Sequence, residues 1–161
     1  MSSLNNSLKI LRIPPRIKIL EAIGSIGDNR VKFLNNEEAR VQSSTGEREY
    51  RVIVVKTSES EYRVYSNDNG TVYRGYIGYP IIAFLMLKGV IPIDNFVLKA
   101  MTGIPWKELN EKYKNYGIVE KIVLDRAEKM GINRNIIYDY INIVLKKLSL
   151  IKFIFDETLN K

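Results

Sequence analysis

Residues 62–88 read YRVYSNDNGTVYRGYIGYPIIAFLMLK, and the way this stretch folds sets the plan of the chain. Its first half holds Tyr62, Tyr65, Tyr73, Tyr76 and Tyr79, with Arg63 and Arg74 between them. Asn67-Asp68-Asn69-Gly70 divides it with residues that favour a turn. Its second half, Pro80 to Leu87, is apolar on every side, the pattern of a helix buried all round. The stretch therefore predicts basic, aromatic strands that feed a buried helix. A tyrosine offers a flat face and an arginine a charge that does not titrate away, and bases on a phosphate backbone are bound by such pairs. Tyrosine is also a strong strand former, so part of these rings is expected to fill a core.

Upstream, Glu49 to Lys56 is the strongest strand signal, with Val52, Ile53, Val54 and Val55 in series. The segment 61–66 returns after a short loop, and Glu-Tyr-Arg-Val occurs at both 49–52 and 61–64. Pairing Lys56 with Glu61 sets Val54 opposite Arg63 and Val52 opposite Tyr65. The other face then carries Val55 with Tyr62 and Ile53 with Val64. In that register the second face is the core side, Tyr50, Arg63 and Tyr65 lie outside, and Arg51 breaks the apolar pattern. Shorter strands are expected at 30–34 and 39–43, and another at 71–76. A short amphipathic helix is expected over 16–26, from Ile17, Leu20 and Ile23. Ahead of it, residues 1–15 read as a mobile basic lead with Lys9 and Arg12 and two prolines.

Downstream the chain is helical. Asp94 suits the N-cap of a helix through Ala100, and Pro105-Trp106 opens another to Tyr116. A third runs from Ile118 to Met130 and ends at Gly131. In the last segment, 132–161, Ile137, Ile141, Val144, Leu148, Ile151 and Phe155 recur at alternating four- and three-residue steps. That is a heptad seam, and it predicts a terminal helix that self-associates, most simply as a dimer.

Composition narrows the function. The chain of 161 residues has a net charge of +7, which favours a polyanionic partner. It has no cysteine and no histidine, which excludes thiol nucleophiles, imidazole bases and the usual zinc ligands. The acids Asp68, Asp94, Glu108, Glu111 and Asp125 form no recognised metal or catalytic spacing. No phosphate-binding glycine loop or nucleophile elbow is present. An enzyme, a metal and a cofactor are therefore not expected. The run 77–93 is interrupted by Gly78, Pro80, Lys88, Gly89 and Pro92 and is too short to span a bilayer. A cytoplasmic protein is expected. The Ile, Lys and Tyr content suits a thermophile.

The stretch YRVYSNDNGTVYRGYIGYPIIAFLMLKG with the later GIPWKELNEKY resembles the ThermoDBP-type single-stranded DNA-binding proteins of thermophilic archaea, in layout over most of the chain. The resemblance implies a basic, aromatic cleft, sequence-independent binding of single strands, and an oligomer built by the C-terminal helix. The residues by themselves predict an α+β domain over 16–131, with a small antiparallel sheet packed by helices and followed by the self-association helix. Single-stranded DNA or RNA would meet Tyr50, Arg51, Lys56, Arg63, Tyr65, Tyr73, Arg74 and Tyr76. Two alternatives stay open. The same patch would serve a protein–protein adaptor, and Asn133-Arg134-Asn135 would serve a helix-turn-helix reader of duplex DNA.

Overall fold

The computed structural model describes residues 8–161. The chain runs β1 (Leu8–Ile10), α1 (Arg16–Gly27), β2 (Val31–Asn35), β3 (Glu38–Gln42), β4 (Glu49–Ser58) and β5 (Glu61–Ser66). It continues through α2 (Tyr79–Leu87), α3 (Asn95–Met101), α4 (Trp106–Tyr113), α5 (Tyr116–Lys129), α6 (Arg134–Ser149) and β6 (Lys152–Asp156). The fold is α+β. One six-stranded sheet has the order β1-β6-β5-β4-β3-β2. Its neighbours are antiparallel except β5 and β6, which run parallel. The parallel pair is possible because the whole helical region, α2 to α6, forms the crossover between these two strands.

The helices pack on one side of the sheet. In α2 the side chains of Ile81, Ile82, Ala83, Phe84 and Leu85 are fully buried, as its all-round apolar sequence requires. Ala39, Val41, Val52, Val54 and Val64 meet them from the sheet. Each large aliphatic side chain so buried contributes about 1.5–3 kcal/mol. Asp94 caps α3 by accepting from the backbone N–H groups of Phe96 and Val97.

The hairpin of β4 and β5 differs from the expected register by one residue. Val54 lies opposite Val64 and Val52 opposite Ser66, with an irregularity between Lys56 and Ser58. The extra residue at Thr57 slides the pairing, and a one-residue slip turns every side chain to the other face. Val52, Val54, Tyr62 and Val64 therefore form the core side, and Tyr50 joins them instead of lying outside. Arg51 moves to the open side with Arg63, so it no longer interrupts the apolar face.

Three further expectations are corrected. The segment 71–76 is not a strand: Gly70–Arg74 makes a single π turn. Asp68, buried at its head, accepts from the Ser66 hydroxyl at 2.5 Å, the Thr71 hydroxyl at 2.8 Å and the Thr71 backbone N–H at 3.1 Å, which holds the chain in a turn. The lead at 1–15 falls at 1–7 outside the described residues, but Leu8–Ile10 is a strand paired to β6. Arg12 also bridges Tyr76. The terminal helix stops at Ser149, and β6 follows. Phe153 and Phe155 alternate on the core side of this strand, and Phe155 is not on a helical seam. Ile137, Ile141, Val144 and Leu148 do share one face of α6, but that face is fully buried in the chain's own core, with Ile151 packed beside it. The seam is filled from within the chain's own core.

Candidate functional site

The polar end of the sheet meets α1 and α4 around a cavity of about 350 Å³. Tyr50 reaches it from β4, Asp68 to Gly70 from the turn after β5, Tyr76 and Tyr79 from the entry to α2, and Trp106, Lys107 and Asn110 from α4. Lys18 and Glu21 come from α1, one helical turn apart. Arg30 and Arg48, with Ser43 and Ser44, close the rest.

The floor is an ion pair. Lys18 Nζ lies 3.0 Å from Glu21 Oε2, and Asn110 Nδ2 donates to the same oxygen at 3.4 Å. Glu21 is 4% exposed. Burial alone would lower the Lys18 ammonium, but Glu21, Tyr76 and Tyr116 together outweigh it and hold the group above its usual value. Its charge also lies over the ring of Tyr116, 5.1 Å from the centroid.

The walls are aromatic. The rings of Tyr50 and Tyr79 meet edge to face, 6.2 Å apart at 86°. Burial raises the phenols of Tyr50, Tyr76 and Tyr79, with Arg48, Lys18 and Arg30 respectively pulling the other way. All three are therefore neutral near pH 7 and can both donate and accept. Gly70 is required here for space: a Cβ on it would lie 2.4 Å from the Tyr76 ring.

The rim is cationic, and its cations differ in their partners. Lys107 pairs with Glu47 at 3.0 Å, and Arg30 lies 3.6 Å from Asp28 while donating to the Gln42 carbonyl at 2.7 Å. The Arg48 guanidinium lies over the Tyr50 ring, 5.2 Å from the centroid, and among the described residues it donates only to the Asn69 amide oxygen, at 3.5 Å. Among the described residues no carboxylate comes within ion-pairing distance of it.

Of the eight contacts expected from sequence, the cavity gathers two, Tyr50 and Tyr76. Tyr73 and Arg74 stand on the π turn whose first residue lines the cavity, and Tyr73 is 80% exposed. The Arg74 carbonyl accepts from the Arg12 guanidinium. The other four do not join them. Arg51 is held by Glu38 at 2.9 Å on the open side of the sheet, Arg63 by Asp156 at 3.1 Å, and Lys56 by Glu59 at 3.0 Å. The Tyr65 ring stacks along Phe155, 5.8 Å away. Sequence reasoning missed Lys18, Glu21, Arg30, Arg48, Trp106 and Asn110. One signal was available: Lys18 and Glu21 interrupt the apolar run from Ile17 to Ile23, on a helix that the core covers.

The chain belongs to the family described as uncharacterised conserved protein UCP014422, whose model matches residues 11–154. Every residue that lines the cavity falls inside the matched segment. No curated protein and no solved structure matches the chain.

Proposed function

We propose that the protein binds single-stranded nucleic acid, without catalysis, by drawing one nucleotide unit into the cavity. The observation that carries this reading is Arg48. Its guanidinium carbon lies over the Tyr50 ring, 5.2 Å from the centroid, and among the described residues no carboxylate pairs with it, so its N–H groups are available to an anion. A guanidinium so placed suits the planar, two-pronged recognition of phosphate. Tyr76 and Tyr79 line the same cavity as aromatic surface for a base, and stacking contributes about 1–3 kcal/mol per base. The volume, about 350 Å³, stands at the low end of the roughly 300–1,000 Å³ typical of ligand pockets, so it suits one unit and not a run of them.

A free nucleotide would make the same contacts. A strand is favoured by what surrounds the cavity. Tyr73 and Arg74 extend outward from the turn that supplies Gly70, and they suit a neighbouring base and phosphate. The net charge of +7 adds a long-range attraction to a polyanion. The test is fluorescence anisotropy with a labelled mixed-sequence oligonucleotide, single-stranded and duplexed, across a salt series. Tighter binding of the single strand, weakening steadily with salt, supports the reading. Equal and weak binding of both forms would reduce the charge to a generic effect. Displacement by a mononucleotide but no preference for the strand would assign the cavity to the free ligand.

A further inference from the structure

We infer that the cavity selects a base that carries an amino group, and that Glu21 is the residue that reads it. This rests on the nucleotide reading above.

Glu21 lies in a helix whose neighbours Ile17, Leu20, Ala22 and Ile23 are all buried, and it is itself 4% exposed. A carboxylate at this depth is costly unless its oxygens are paired. Only one is. Oε2 takes both available donors, Lys18 Nζ at 3.0 Å and Asn110 Nδ2 at 3.4 Å. Oε1 accepts nothing from the described residues, and it is not among the polar atoms sealed inside the protein, so it opens on the cavity that Glu21 lines. Beside it, the amide oxygen of Asn110 is buried and has no donor either. The Lys18 ammonium is turned to Glu21 and to the ring of Tyr116. Of these two acceptors Asn110 Oδ1 is sealed and Glu21 Oε1 is the open one, and the cavity that it faces is also lined by the Arg48 cation.

A ligand that satisfies both brings a hydrogen to Glu21 Oε1 and an anion to Arg48. An exocyclic amino group has two hydrogens and no charge. Cytosine, adenine and guanine carry one, and a carboxylate that accepts from the amino group of cytosine is an established pairing. Uracil and thymine instead flank their single N–H with carbonyl oxygens, which would be set against the Glu21 carboxylate. A buried site built to accept from an N–H discriminates strongly against an analogue that lacks it, because its own acceptor is then left unpaired.

The experiment is titration calorimetry of the full chain with two matched pairs, cytidine against uridine monophosphate and adenosine against inosine monophosphate. Each pair exchanges an amino group for a carbonyl at nearly constant size. The amino member is expected to bind at least about tenfold tighter in both pairs. In Glu21→Gln the side-chain amide both donates and accepts, so the preference should shrink to within about twofold while uridine monophosphate still binds. A thermal melt shows whether that variant is folded, and the wild-type comparison decides the matter if it is not. Equal binding of the members of each pair would overturn the selection and leave the nucleotide reading standing. Binding of none of the four would overturn both.

Discussion

Glu-Tyr-Arg-Val is used twice, at 49–52 in β4 and at 61–64 in β5, and the two copies do different work. In both, the tyrosine points to the helices and the arginine to the open side of the sheet. In β5, Tyr62 is deep in the core, stacked on Phe153 at 5.8 Å, and Arg63 holds the buried Asp156. In β4, Tyr50 comes from the start of its strand, where α1 and α4 leave a cavity beside it. It is half-buried against Tyr79 and becomes a wall of the cavity. The same four residues thus make a piece of core or a piece of site according to how far along the sheet they lie. The arginines teach the same lesson. Those of the open side are neutralised by acids, whereas Arg48, which rests on Tyr50, is not.

The comparison can be broken by substitution. The largest effect is expected at the buried copy: Tyr62→Ala should cost about 3–5 kcal/mol in denaturant unfolding, the range for removing a buried aromatic ring. Tyr50→Ala, which opens on solvent already, should cost less than half of that and weaken single-strand binding instead. If the two lose equal stability, Tyr50 belongs to the core and the distinction fails.

Next is Arg63→Ala, which leaves the Asp156 carboxylate buried without its cation. The expected cost is about 1–3 kcal/mol at neutral pH. Burial alone would raise the Asp156 carboxyl, but hydrogen bonds from Thr158 and Arg63 outweigh it and hold the group below the usual range. A depressed carboxyl stabilises the fold above its unfolded value, about 3.9, and that contribution disappears as pH falls through the folded value. Unfolding curves should therefore show Asp156→Asn clearly less stable than wild type at pH 7, with the gap closing below about pH 4. A gap that stays constant into acid would show that Asp156 contributes through shape and not charge.

The smallest stability effects belong to Arg51, which is partly buried, and Arg48, which is exposed. Arg51→Ala should cost at most about 1 kcal/mol, as for a surface ion pair. Arg48→Ala should be within about 0.5 kcal/mol of wild type, because nothing buried depends on it.

Much of the fold was legible in the residues. The β-branched run at Val52–Val55, the all-apolar α2, and the Asp94 cap each state their structure locally, and each is found where local physics puts it. The seam of α6 was also legible as a buried face, but a heptad pattern does not say whose core it enters. The reversal at Ser149, with strand alternation in Phe153 and Phe155, depends on the open edge of β5, which is distant in sequence. The hairpin register turned on one bulged residue at Thr57. The site was the least legible part. Tyr50, Tyr76 and Tyr79 stood out by type, but Lys18, Glu21, Arg48 and Asn110 are ordinary residues that become a site only when α1 and α4 close on one end of the sheet.

The most direct measurement is the affinity of a labelled single strand for Arg48→Ala and Arg51→Ala, side by side at low salt. Both variants remove one positive charge, so a generic attraction to phosphate would weaken them equally. The cavity reading predicts a loss of about tenfold for Arg48→Ala, the scale of one charge-assisted phosphate contact, and a change within about twofold for Arg51→Ala. Equal losses, or the greater loss at Arg51, would contradict it.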